Sequence, residues 1–285
     1  MEVKKLGVVG AGQMGSGIAE AALGVGIQVV MRDLTQDALD KGRARIAGNL
    51  SRRVEKGKIT PQQREEILGA LKTTCFLEDL RDCGFVIEAA TENPGIKEQL
   101  FKELEAIVGP ETVLATNTSS ISITRIASFV KTPHRVIGMH FFNPVPVMKL
   151  VEVVKGLHTS EAVFRATWEL SQRLGKTPVE ARDMPGFISS RLIFNYMNEG
   201  LWALYEGLGT PEQIDTIMRM GANHPMGPLE LADFVGLDTV LSVMWVLEEA
   251  FGDKYRPCPL LVQLVHAGRL GVKTGRGIYD QGGNL

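Results

Sequence analysis

Cysteine is scarce in this chain. The 285 residues hold three, Cys75, Cys83 and Cys258, with no Cys-x-x-Cys pair and no way for an odd number to pair completely. A disulfide-stapled scaffold is thereby excluded, and reduced, buried thiols in a cytosol are expected. No apolar run reaches the length of a membrane span. The apolar stretch from Leu6 to Gly12 is too short and too glycine-rich to be the core of a signal peptide, so the expected location is cytoplasmic. Charge of one sign is not in excess either, since 31 basic and 33 acidic residues give a formal net charge of −2. Nucleic acid and anionic membrane surfaces are therefore not expected as partners. Repeats and low-complexity tracts are absent. A hydrophobic content of 44% remains, enough for a well-buried core in one large domain or two smaller ones.

The most informative segment is Val8-Val9-Gly10-Ala11-Gly12-Gln13-Met14-Gly15. An apolar strand, Lys4 to Val9, runs straight into Gly-x-Gly-x-x-Gly, and helically spaced apolar residues follow from Ile18 to Val25. In that pattern Gly10 permits the tight turn, Gly12 lets backbone approach a pyrophosphate, and Gly15 lets the helix pack closely on its strand. The helix N-terminus offers its N–H groups to phosphates. A second strand, Ile27 to Met31, ends in Arg32-Asp33, where a carboxylate accepts from ribose hydroxyls and repels a 2′-phosphate. The reading is a dinucleotide site with Gly10, Gly12, Gln13, Met14, Gly15 and Asp33 at the cofactor, and NAD preferred to NADP. Arg32 could attract that phosphate, stack on adenine, or end the strand as a solvated side chain.

From Met1 to about Arg182, strand-like runs alternate with helical patterns. Phe85–Glu88, Thr112–Ala115, Arg135–Gly138 and Leu150–Val154 are the further strand candidates. After Asp183-Met184-Pro185-Gly186 the texture changes to helices over Ser189–Tyr205, Glu212–Met220, Pro228–Phe251 and Pro259–Ala267. The expected fold is α/β, a Rossmann-type doubly wound sheet followed by an all-helical C-terminal domain. The expected division is an NAD-binding domain over 1–183 and, over 184–285, a helical domain for the substrate cleft and dimerisation.

Two segments at the ends of strands carry chemistry, Thr116-Asn117-Thr118-Ser119-Ser120 and His140-Phe141-Phe142-Asn143-Pro144. In an open parallel sheet such positions face the ligand crevice. Hydride transfer between NAD and an alcohol needs a base for the hydroxyl proton, and His140 is the candidate. Glu152, in the apolar run Leu150–Val154, could hold the imidazole in one tautomer, or be a salt bridge at a strand edge. The helix Ala38–Lys58 carries Lys41, Arg43, Arg45, Arg52, Arg53, Lys56 and Lys58, which reads as a solvated face unless the ligand bears phosphates.

Taken with Asn117–Ser120, His140–Glu152, Pro225-Met226-Gly227-Pro228-Leu229-Glu230 and the tail Gly271–Tyr279, the glycine motif resembles the L-3-hydroxyacyl-CoA dehydrogenase family along essentially the whole chain. The resemblance implies His140 as base, Glu152 as its partner and Ser119 as hydrogen-bond donor to the reacting oxygen. It implies Asn143 in the pocket, Glu92, Lys97 and Asn117 at the cofactor, and Ser51 and Lys58 at the CoA moiety. It also supplies a reason for the basic helix, because CoA brings a 3′-phosphate and a pyrophosphate. A single activity on a short-chain thioester such as 3-hydroxybutyryl-CoA is what the resemblance implies overall, and the apolar helices of the C-terminal domain are expected to form a homodimer.

One departure stands out. Where the family places an asparagine that contacts substrate, this chain has Ser190, which is shorter and offers one donor where the amide offers two. Two other readings remain open at this level: a hydroxy-acid or sugar-acid dehydrogenase on the same fold, and a catalytically weakened NAD-binding protein.

Overall fold

Short runs of Val, Ile, Leu and Phe become buried strands when helices cover both faces of a sheet. In the computed structural model, which describes residues 2–280, eight strands form one sheet: β1 Lys5–Val9, β2 Gln28–Arg32, β3 Leu71–Thr74, β4 Phe85–Glu88, β5 Val113–Thr116, β6 Val136–Phe141, β7 Leu150–Lys155 and β8 Thr177–Arg182. Their order is β3-β2-β1-β4-β5-β6-β7-β8. Neighbours are parallel except β6 and β7, which run antiparallel. This is a Rossmann-type doubly wound sheet, and the strand order reverses between β1 and β4, where the crevice for a ligand opens.

The helices of this part are α1 Gln13–Leu23, α2 Gln36–Glu55, α3 Pro61–Gly69, α4 Pro94–Ile107, α5 Ile123–Ala127 and α6 Glu161–Arg173. Their starts follow from local chemistry. Thr35 caps α2 by accepting from Ala38 N at 3.2 Å, and Thr60 with Gln63 forms a reciprocal capping box on α3 ahead of Pro61. Leu6, Val8, Ile18, Val29, Met31, Phe85 and Ile87 fill the core between α1, α2 and the sheet.

By its internal contacts the chain divides into two compact units, Met1–Asp183 and Met184–Leu285. Asp183 is tied inward to the first unit, where its carboxylate accepts from Ser122 Oγ, Ile123 N and Thr124 N at 2.7–2.9 Å and so caps α5. The second unit is helical: α7 Ser189–Tyr205, α8 Pro211–Gly221, α9 Pro228–Val235, α10 Leu237–Phe251 and α11 Pro259–His266. Met197, Leu201, Leu229, Val240, Leu241, Met244 and Leu261 make its separate core. Among the described residues no helix is long and apolar enough to cross a membrane.

Three features depart from the sequence reading. β3 and β8 were not expected: both are edge strands, and β8 carries Pro178, tolerable only where a backbone N–H is dispensable. The single helix over Pro228–Phe251 is two, because Gly236 at φ 100° turns the chain between α9 and α10. His140 lies inside a strand rather than in the loop after one, since β6 continues to Phe141.

Candidate active site

The register of β6 against β7 sets His140 directly opposite Glu152. Cross-strand neighbours in an antiparallel pair project to the same face, and here Nδ1 of His140 lies 2.8 Å from Oε2 of Glu152, with both residues buried. A buried carboxylate acceptor puts the hydrogen on Nδ1, which makes Nε2 the proton-accepting nitrogen. The Phe142 ring packs at 4.8 Å from the imidazole and limits water around it.

The loop after β5 lies next to this strand pair. Asn117 Oδ1 accepts from Phe141 N at 2.8 Å, so Asn117 ties that loop to the end of β6. Glu92 holds the following turn, accepting from Thr118 Oγ1 at 2.7 Å, Ser119 N at 2.8 Å and Ser119 Oγ at 3.3 Å. Glu92 and Ser119 are thus neighbours, which spacing along the chain did not reveal. Asn143 joins the glycine-rich segment, with Gln13 Nε2 donating to its Oδ1 at 2.9 Å.

At the switch point Gly10 adopts φ 105°, where a Cβ would come within 2.6 Å of the Ala89 carbonyl oxygen, and a Cβ on Gly15 would overlap the Gly10 carbonyl. Open space surrounds Gly12 instead, room that any side chain would fill and that a pyrophosphate needs. Asp33 accepts from Ala11 N at 2.6 Å and Leu34 N at 2.7 Å, which aims its carboxylate across the turn. A cavity of about 540 Å³ extends from Gly10, Arg32 and Asp33 to Ala90, Thr91, Ile96 and Gln99. Arg32 Nε is buried with no hydrogen-bond partner among the described residues, a donor left for a ligand. These residues fit a dinucleotide.

Lys97 is placed differently from its implied cofactor contact. It is 1% exposed, and its ammonium pairs with Glu88, which is fully buried; Thr116 Oγ1 donates to the same carboxylate at 2.8 Å. The apolar strand run Phe85–Glu88, ending in a carboxylate, was the available signal for this pair.

The basic residues divide by what surrounds them. Lys41 pairs with Asp37 one turn back, and Arg45 donates to Ser16 Oγ at 3.0 Å. Arg52, Arg53, Lys56 and Lys58 line a groove of about 640 Å³ with Glu20, Asn49, Pro144, Pro146 and Val147. Glu20 is buried there, and burial pushes its carboxyl above the usual range although Asn49 donates to it at 2.6 Å. Neither Glu20 nor Asn49 was expected; nothing in the helical pattern separates them from surface residues. Ser51 accepts from Arg64 Nε at 3.1 Å, while Ser190 is buried in α7 of the second unit.

Two family models match the chain in succession: 3-hydroxyacyl-CoA dehydrogenase, NAD binding domain, over residues 5–184, and 3-hydroxyacyl-CoA dehydrogenase, C-terminal domain, over residues 186–281. The chain belongs to the 3-hydroxyacyl-CoA dehydrogenase family. It is an oxidoreductase whose first unit is the family's NAD-binding Rossmann-type domain. The 3-hydroxybutyryl-CoA dehydrogenase of Bradyrhizobium diazoefficiens is 50% identical over 282 residues, which cover 99% of this chain and 96% of that one. A probable 3-hydroxybutyryl-CoA dehydrogenase of Bacillus subtilis is 50% identical over 281 residues, 98% of each chain. Among solved structures, (S)-3-hydroxybutyryl-CoA dehydrogenase from Ralstonia eutropha superposes with a TM-score of 0.95 at 48% identity, covering 98% of this chain and 99% of that one.

Proposed function

We propose that this family member interconverts L-3-hydroxyacyl-CoA and 3-ketoacyl-CoA with NAD, and that the short-chain substrate 3-hydroxybutyryl-CoA is among its substrates. The observation that carries the reading is the buried His140–Glu152 pair beside a loop that presents Ser119. His140 Nε2 takes the hydroxyl proton in the oxidation direction and returns it in the reduction. Glu152 holds the ring in the working tautomer and offsets the positive charge that the ring acquires. Ser119, its hydroxyl rotated from Glu92 to the substrate, donates to the reacting oxygen, while Glu92 keeps accepting from its backbone N–H and holds the turn in place. NAD, when bound, supplies the hydride acceptor. Gly10, Gly12, Gln13, Met14, Gly15, Asp33 and Asn143 would hold it, with Glu92 and Asn117 shaping its nicotinamide end.

The CoA moiety is assigned to the basic groove, where Arg52, Arg53, Lys56 and Lys58 meet its phosphates and Ser51 lies alongside. Ser190 is assigned to the substrate. The deciding assay is spectrophotometric: NADH oxidation with acetoacetyl-CoA and longer 3-ketoacyl-CoAs, repeated with NADPH. Turnover fastest on the shortest thioester and a preference for NADH of about tenfold or more are expected, because the Asp33 carboxylate opposes a 2′-phosphate. Equal use of NADPH would mean that Arg32, with its unpaired Nε, overrides Asp33. No turnover on any chain length would remove the assignment.

A homodimer is proposed for the second unit, supported by the apolar groove of about 750 Å³ between Ala203, Leu208, Ile214 and Ile217, with Leu208 and Ile217 exposed. A cytoplasmic location is proposed with it. Light scattering behind size exclusion tests the dimer, and a monomer at micromolar concentration would reject it.

A further inference from the structure

The segment 143–149 joins the strand that carries His140 to the strand that carries Glu152, and its middle forms one wall of the basic groove. Its backbone makes a tight turn in which Val147 N and Met148 N both donate to the Pro144 carbonyl at 2.9 Å. Val145 is buried against α1 at Gly17, where a Cβ would come within 2.8 Å of the Val145 Cβ. Val147 is turned outward and 70% exposed. A turn of this kind leaves carbonyl oxygens pointing inward, and these need donors.

Lys176, on the connection from α6 to β8, is the donor. Lys176 is 9% exposed, and its ammonium donates to the carbonyl oxygens of Val145 and of Met148, the latter at 2.8 Å. Next to it, Thr177 N donates to Lys149 O at 2.6 Å, which fixes the far end of the same segment. Burial lowers the tendency of this amine to stay charged, and Glu20, from the floor of the groove, opposes that. An apolar side chain would fill the site without the desolvation cost, so a cation here is explained by the two carbonyls that it gathers.

We propose that Lys176 is a positioning residue for substrate binding. By gathering the Val145 and Met148 carbonyls, its ammonium sets the turn that presents Pro144, Pro146 and Val147 as the apolar wall along which the pantetheine arm of a CoA thioester lies. The proposal rests on the assignment of the basic groove to CoA. It separates substrate binding from cofactor binding, because Asn143 is the one residue of this segment assigned to the cofactor.

The test compares steady-state kinetics of the wild type with Lys176→Met, Lys176→Arg and Val147→Ser, varying acetoacetyl-CoA and NADH in turn. For Lys176→Met the expected KM for acetoacetyl-CoA rises ~5- to 30-fold, the loss of a charge-assisted hydrogen bond, while KM for NADH stays within ~twofold. Lys176→Arg, which can donate to both carbonyls, restores most of that loss. Val147→Ser changes an exposed residue, folds regardless, and raises the same KM ~2- to 5-fold. If Lys176→Met does not fold, Lys176→Arg and Val147→Ser still decide: an unchanged KM for acetoacetyl-CoA in Val147→Ser overturns the wall. An equal rise of both KM values in a folded Lys176 variant makes the lysine a general support of the unit and overturns the proposal. Lys58→Ala, compared on acetoacetyl-CoA and on a pantetheine thioester without phosphates, tests the groove assignment separately, so its failure is distinguishable from failure of the role of Lys176.

Discussion

At the scale of single residues, the pairing of His140 with Glu152 separates two effects that substitution can measure. His140→Gln removes the proton acceptor and leaves the dinucleotide crevice intact, so turnover should fall by roughly a hundredfold or more at unchanged NADH affinity. Glu152→Gln keeps the shape but loses the charge that offsets the imidazolium, and a smaller loss of about tenfold is expected. Stopped-flow turnover beside NADH fluorescence titration measures both, and near-normal turnover of His140→Gln would reject it as the base. The cysteines give an independent check on packing. Burial pushes the Cys83 thiol up to about 11 and raises that of Cys258, while Cys75 is only half-buried. A chromogenic disulfide at pH 8 should therefore react fast with no more than one thiol in the native protein, and with three once it is denatured.

Between elements, the contact of α4 with β4 and β5 gives Lys97 a structural partner. The family resemblance implies Lys97 at the cofactor, and in the fold it falls on the buried stripe of α4 with Leu100, Phe101 and Leu104. There the only economical state for its charge is against Glu88. Lys97→Met strands the Glu88 carboxylate with Thr116 Oγ1, Ala90 N and Thr91 N as its remaining donors, and urea denaturation should register a loss of about 3–5 kcal/mol. Adding Glu88→Gln should recover part of that loss. A Lys97→Met protein of undiminished stability but weak NADH binding would return the lysine to the cofactor. In the second unit a buried carboxylate is held by neutral donors instead: Asp215 accepts from Leu229 N and Glu230 N at 2.9 Å and from the Tyr279 hydroxyl at 2.6 Å, capping α9.

For the whole molecule, the formal net charge of −2 works against a polyanionic substrate, so attraction must be local. Four cations of α2 and the turn after it gather on one groove. Raising ionic strength from about 0.05 to about 0.5 M shortens the screening length from ~14 Å to ~4 Å and should raise KM for acetoacetyl-CoA by about three- to tenfold. A pantetheine thioester without phosphates serves as control and should move by less than about twofold, and Lys58→Ala should flatten the response of the CoA ester. Parallel responses of the two esters would return the basic groove to an ordinary solvated face.

What the sequence by itself determined is whatever depends on neighbours along the chain. Gly10 takes a left-handed turn that other residues resist, Gly15 sits where a Cβ would overlap the Gly10 carbonyl, Gly12 leaves open space above the turn, Asp33 closes the second strand, and the change of period near Pro185 marks where alternating strands and helices give way to helices. Edge strands escaped because β3 and β8 are stabilised by partners rather than by their own pattern. What only the tertiary structure decided is pairing across the sheet and between its layers. A one-residue slip of β7 would turn Glu152 to the opposite face from His140, and nothing in either segment alone forbids that slip. The gathering of Glu20, Asn49 and Lys58 in one groove, and of Lys176 against the Val145 carbonyl, likewise joins residues far apart in sequence whose meeting depends on how α1, α2 and the sheet pack.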